Sequence, residues 1–181
     1  MNTPANLVSG KECGTCAMCC KVYDFVDLKK KKGWCENFKT GVGCSIYAER
    51  PDSCRAFYCN WMLIEALGPE WKPNICKFVM TYDPSRSILV QVDTSYPTAW
   101  RAKPYYDALR EWAVRLKAEK RFIFVFVGKN FIVLTAEGEY DLGLFDSSYE
   151  LKFKTEFKGP VAIDIPYKHK KEGSSVGERQ R

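Results

Sequence analysis

The sequence predicts an α+β fold: a cysteine-rich metal-binding N-terminal module followed by an antiparallel sheet packed on an amphipathic helix. Three observations carry that prediction. Eight of the nine cysteines fall between residues 13 and 59. After residue 70 short apolar runs alternate with turn signals at hairpin spacing. Within 104–120, Leu109, Trp112, Ala113 and Leu116 recur at three and four residues, the stripe of a helix lying on a sheet.

Taken in order, residues 1–10 are a flexible N-terminus and 11–70 the cysteine-rich module. Cys13-Gly-Thr-Cys16-Ala-Met-Cys19-Cys20 reads as a tight loop running into a helical turn, with a short strand over 22–26. The lysines of 29–32, closed by Gly33, read as a solvated loop. Arg50-Pro51-Asp52-Ser53 starts a helix, since proline suits the first helical turn. That helix carries Cys54, Phe57, Trp61, Ile64 and Leu67 and stops at Gly68-Pro69. A boundary near residue 70 opens an α+β part over 71–167, and the two parts are small enough to share one core. It begins with a hairpin, 77–82 and 88–92, about the turn Asp83-Pro84-Ser85-Arg86. The helix of 104–120 follows, then a hairpin of 122–127 and 131–135 about Gly128-Lys129-Asn130, and strands at 139–142, 151–157 and 161–165. Residues 168–181 form a basic disordered tail.

Composition narrows the function classes. The 181 residues are 46% hydrophobic and 14% aromatic, enough for a packed core and too apolar for a disordered chain. No apolar run is long enough to span a bilayer, and residues 1–10 lack the pattern of a secretory signal, which points to the cytoplasm. The one histidine, His169, excludes Ser-His-Asp triads, HExxH zinc enzymes and histidine facial triads. In a reducing compartment, clustered thiols more often bind metal than form disulfides.

The cysteines read C-x2-C-x2-C-C at Cys13, Cys16, Cys19 and Cys20, followed by Cys35, Cys44, Cys54 and Cys59. Two residues between thiolates let a turn aim both sulfurs at one point, which suits zinc and iron–sulfur centres alike. Structural zinc sites combine two knuckles, whereas here one close-spaced group meets single distal cysteines, nearer the ligand pattern of a [4Fe–4S] cluster. Adjacent Cys19 and Cys20 point apart, so eight thiols make either two four-thiolate sites or one site with spare thiols. The candidate metal ligands are these eight cysteines, and the cofactor is an iron–sulfur cluster or zinc.

The same residues resemble a family. The first block, with Cys44-Ser-Ile-Tyr47-Ala-Glu-Arg50-Pro51-Asp-Ser-Cys54-Arg55-Ala-Phe57-Tyr-Cys59, is similar to the CxxCxxCC cysteine-cluster proteins, described as a zinc- or iron-chelating domain. The resemblance covers about residues 13–60 and implies a metal-binding role for the matching cysteines; it carries nothing onto Cys76. A related cysteine cluster occurs in flagellin lysine N-methylases, although nothing after residue 70 suggests a methyl-donor site. Tyr47 and Phe57 are expected as core aromatics sealing the cluster, and Arg55 as a charge offsetting thiolates or as a surface ion pair.

Three functions follow: a metal-binding cysteine-cluster protein, whose partners are the metal ion or cluster and a protein partner or substrate; a redox or radical-type protein-modifying enzyme of the lysine N-methylase kind; and a zinc-stapled interaction or nucleic-acid-binding module. The last rests on the lysines of 29–32 and 168–171, and such short runs more often make solvated turns than phosphate sites. Asp107, Glu111 and Glu119 offer no acid–base pair, and Gly-Lys-Asn at 128–130 lacks the spacing of a phosphate loop.

Overall fold

The computed structural model describes residues 7–24, 28–31 and 33–171, with the backbone alone at Lys31. The first half is built from very short pieces. These are α1 (Met18–Val22), β1 (Lys30–Lys31), β2 (Trp34–Cys35), β3 (Phe38–Lys39), β4 (Gly43–Cys44), α2 (Asp52–Arg55), α3 (Asn60–Leu63) and α4 (Pro73–Cys76). The second half is regular: β5 (Phe78–Tyr82), β6 (Ile88–Val92), α5 (Tyr105–Lys117), β7 (Ile123–Val127), β8 (Asn130–Leu134), β9 (Glu139–Leu144), β10 (Tyr149–Lys158) and β11 (Val161–Lys170).

β5 to β9 form one sheet in chain order. The expected hairpins are present: Phe78 faces Val92 across β5–β6, and Ile123 faces Leu134 across β7–β8. The first turn closes as its sequence requires, with Ser87 N–H donating to Asp83 Oδ1 at 2.9 Å. The sheet is nevertheless mixed rather than antiparallel, because β6 and β7 run parallel, Ile88 beside Ile123. The reason is connectivity. A chain that leaves β6, lays a helix across the sheet and returns beside β6 can only re-enter in the same direction.

α5 follows its stripe, with Leu109, Ala113 and Leu116 buried. Asp107 in its first turn and Arg115 and Lys117 in its last complement the helix dipole. Arg110 fastens it to the end of β8, its guanidinium donating to the carbonyls of Thr135 (2.6 Å) and Ala136 (3.0 Å). The sheet supplies Val79, Val90, Val125 and Val133 to the core, all fully buried. Leu109→Ala, at the centre of this contact, is expected to cost about 3 kcal/mol, read from urea denaturation. A loss below about 1 kcal/mol would mean that the helix is loosely seated.

The cysteine-rich stretch does not stand apart as a metal-binding module. Met18, Cys59, Trp61, Met62 and Trp71 belong to the same buried cluster as Phe78, Val90 and Leu109. The single helix expected from residue 50 to Leu67 is split into α2 and α3, because Cys59 adopts an extended conformation (φ −78°, ψ 156°). Of the strand expected over 22–26, Val22 lies in α1, Tyr23 and Asp24 are in no regular element, and the rest falls outside the described residues. β10 and β11 pair only with each other, in unbroken register from Tyr149↔Lys170 to Lys158↔Val161. The ribbon is longer than expected, so Lys168, His169 and Lys170 continue a strand where a tail was expected; 172–181 lie outside the described residues. Phe153 stacks on Phe122 at 4.2 Å and anchors it, while Phe157 and Val161 beside the turn are exposed.

Candidate functional site

All eight cysteines between 13 and 59 line one cavity of about 50 Å³, closed by Leu28, Ile46, Phe57, Met62, Pro73 and Val79. Every one of them, like the buried Cys76, is a free thiol. Four separate pieces of chain deliver them: the 13–20 loop and α1, β2, the β3–β4 turn, and the segment from α2 to α3. The eight cysteines named as candidate metal ligands are all in its lining; Met62, Pro73 and Val79, also in the lining, carry no chemical signature and reach the wall only through the tertiary fold.

One glycine shows how tightly these pieces meet. Gly43 has φ +92°, and a Cβ there would lie 2.9 Å from the Gly14 carbonyl and 3.3 Å from Thr15 Cα. The β3–β4 turn is thus pressed against the 13–16 loop. Gly43→Ala is expected to cost about 2 kcal/mol through backbone strain and to make Cys44 more accessible to alkylation. An unchanged melting temperature with unchanged Cys44 labelling would show that the approach is not constrained.

Electrostatic proximity sorts the thiols into two groups. Cys13 and Cys16 act on Cys19 and Cys59, whereas Cys20 and Cys35 act on Cys44 and Cys54, and the Cys19–Cys20 hydrogen bond joins the groups. Burial pushes most of them up: Cys16, Cys44 and Cys54 above the usual thiol value, and Cys59 to about 11. Backbone N–H groups two or three residues on partly offset this, that of Met18 donating to Cys16, that of Ile46 to Cys44, and those of Met62 and Trp61 to Cys59.

Cys19 and Cys20 behave oppositely. The Cys19 thiol donates to the Cys20 sulfur, which raises Cys19 and lowers Cys20 to about 7; Arg50 and a hydrogen bond with Cys35 also favour the Cys20 thiolate, while burial opposes it. Arg50, not Arg55, is therefore the cation of the site. Arg55 is spent on the chain, donating to the carbonyls of Arg50 (2.5 Å) and Ala48 (3.1 Å). Tyr47 is exposed rather than buried, with the Arg50 guanidinium 3.8 Å from its ring centroid. Phe57 is half-buried against Tyr23, ring centroids 4.9 Å apart.

The metal reading is corrected by this geometry. Among the described residues no group of three or more Cys, His, Asp or Glu is placed to hold a metal ion. Several sulfurs are turned to protein neighbours: Cys13 Sγ lies 3.5 Å from Met62 Sδ, Cys35 accepts from Asn37 N–H at 3.5 Å, and Cys19 faces Cys20. The expectations of an iron–sulfur cluster or zinc cofactor, of a metal ion or cluster as partner, and of a metal-chelating module over 11–70 are overturned with it. So are the alternatives built on a cluster at a catalytic centre or on a zinc staple.

The C-x2-C-x2-C-C spacing is present in the chain, but the chelating arrangement that the CxxCxxCC family implies is not formed among the described residues. No helix among them is long and apolar enough to cross a membrane. No family model, no curated protein and no solved structure matches this chain, which leaves its likeness to the cysteine-cluster family without support.

Proposed function

We propose that the thiol-lined cavity is a two-electron redox centre that responds to a small oxidant of the peroxide class, with Cys13, Cys16, Cys19, Cys20, Cys35, Cys44, Cys54 and Cys59 as its residues. The observation that carries this reading is the gathering of eight free thiols around one cavity of about 50 Å³. Its size favours a molecule of a few atoms over a peptide disulfide. Cys20 is the attacking group, since the thiolate is the nucleophilic form and Cys19, Arg50 and Cys35 all favour it there.

The Cys20 sulfur attacks one peroxide oxygen; the O–O bond breaks, and hydroxide leaves and takes up a proton as water. The resulting sulfenic acid is then attacked by the Cys35 sulfur. The S–O bond breaks, the Cys35 proton leaves with the oxygen as a second water, and a Cys20–Cys35 disulfide remains. Two thiols have lost two electrons to one peroxide. Cys35 is preferred to Cys19 as resolving group because a disulfide between sequence neighbours is strained. A reducing, cytoplasmic setting fits nine free thiols, and a dithiol reductant returns the pair to its starting state.

Stoichiometric hydrogen peroxide followed by peptide mapping under alkylation tests this. The expected result is a Cys20–Cys35 disulfide reversed by dithiothreitol, with the remaining thiols still labelled. Thiols that resist both peroxide and alkylation because the isolated protein retains a stoichiometric inorganic ion would overturn the proposal.

A further inference from the structure

The β10–β11 ribbon carries an open strand edge. Each of its strands has 10 residues, and every residue from Lys154 to Ala162 is exposed. Phe157 is 75% exposed and Val161 53%. Two strands alone are marginally stable in water, and a long edge with exposed apolar side chains is a template for another chain.

Which edge is open follows from the turn. Gly159 (φ +62°) and Pro160 form a two-residue turn between the paired Lys158 and Val161. At the other end of the same register, Lys171 N–H donates to the Ser148 carbonyl at 2.9 Å. The even-numbered residues of β10 therefore bond to β11, while Leu151, Phe153, Thr155 and Phe157 aim their N–H and C=O groups outward. These four make no backbone bond to another segment among the described residues. On β11 the outward positions include Pro166, which has no N–H to give. They also include Lys168, whose Nζ holds the Leu144 carbonyl at the end of β9 at 3.1 Å. β10 has neither obstacle.

We infer that β10 pairs antiparallel with β10 of a second copy, joining the two ribbons into one four-stranded sheet. Charge selects both the partner and the register. One face of β10 carries Glu150, Lys152, Lys154, Glu156 and Lys158 in alternation with the outward-bonding residues. About a twofold axis at Lys154, Lys152 opposes Glu156 and Glu150 opposes Lys158, each pair occurring twice. These are the non-hydrogen-bonded positions, where opposed side chains come closest. On the other face Leu151 covers the exposed Phe157, and Phe153 meets Thr155. Only the two Lys154 side chains meet as like charges, and each has Glu156 of its own chain 2.6 Å away. The neighbouring registers set Lys152 against Lys154 with Glu150 against Glu156, or Lys152 against Lys158, and opposed like charges destabilise a strand pair. The surface shares no residue with the thiol cavity, and the inference does not depend on that chemistry.

Sedimentation of the full chain over ~1–500 µM tests it, in dithiothreitol so that no thiol-linked dimer persists. A reversible monomer–dimer equilibrium with Kd about 10 µM is expected, as for a small, polar interface. Thr155→Pro removes an outward N–H and spares the bonds to β11, so the protein should stay folded and become monomeric. Lys152→Glu should weaken the dimer about tenfold, and adding Glu156→Lys should restore it, because both opposed pairs are then reversed together. Carbodiimide coupling of mixed light- and heavy-isotope chains should join Lys152 to Glu156, and Lys158 to Glu150, between copies. Should Thr155→Pro fail to fold, the charge series still decides. A chain that stays monomeric throughout, a dimer indifferent to Thr155→Pro or Lys152→Glu, or links between copies only at other residues would overturn the inference.

Discussion

Asp93→Ala is expected to lower the unfolding free energy by about 3–5 kcal/mol, the usual cost of removing one partner from a buried ion pair. The Asp93 side chain is only 2% exposed and that of Lys21 17%, with Nζ and Oδ2 2.6 Å apart. The carboxylate has a second task, Oδ1 accepting the Ser95 N–H at 2.9 Å, and Lys21 also donates to Ser95 Oγ at 3.0 Å. Without Asp93 the ammonium has no anion to compensate its burial. Because Lys21 follows Cys20 and Asp93 ends the β6 hairpin, the variant should also loosen α1 and expose the thiols. Urea denaturation and thiol-labelling rates measured together check both consequences. The paired replacement Lys21→Met with Asp93→Leu should recover most of the stability, since the penalty lies in the unpaired charge. A loss below 1 kcal/mol would place this pair among surface ion pairs.

Cys20→Ser should remove the fastest-reacting thiol from the protein and with it the peroxide-induced disulfide. In the unaltered chain, labelling of Cys20 should rise through a midpoint near pH 7, against about 8.5 for an ordinary thiol. At neutral pH that difference corresponds to about sixteenfold in thiolate fraction. The sign carries over to stability. A group whose folded value is depressed contributes fully above its unfolded value, and loses that contribution as pH falls through about 7. Arg50→Gln removes one favourable charge and should move the labelling midpoint upward. A midpoint that stays in place would show that Arg50 does not act on Cys20.

Much of the second half was legible because its signals are local. Asp83-Pro84 marks a turn by backbone chemistry, and the Leu109–Leu116 stripe marks a helix by period. The parallel β6–β7 pairing was not, since nothing in 88–92 or 123–127 specifies direction; α5 sets it from outside those strands. In the first half the cysteines read as metal ligands of one site or two, and all eight line one cavity. What they do there was misread, because spacing along the chain does not say where a sulfur points. Cys13 turns to Met62 and Cys19 to Cys20, contacts that only the tertiary fold creates. The reading of Arg55 as an offsetting charge failed similarly: adjacency to Cys54 in sequence was outweighed by two carbonyls that draw the Arg55 guanidinium away.

The β6–β7 pairing also bears on how the chain reaches its native state. The β5–β6 and β7–β8 hairpins each join near neighbours and close rapidly by themselves. Uniting them brings Ile88 beside Ile123 and requires the whole intervening crossover to be laid down first. The entropy of closing that long loop is spent before the central contacts repay it. Pairing of β6 with β7 is accordingly expected to limit the folding rate, and substitutions along the seam between them should slow refolding more than they hasten unfolding.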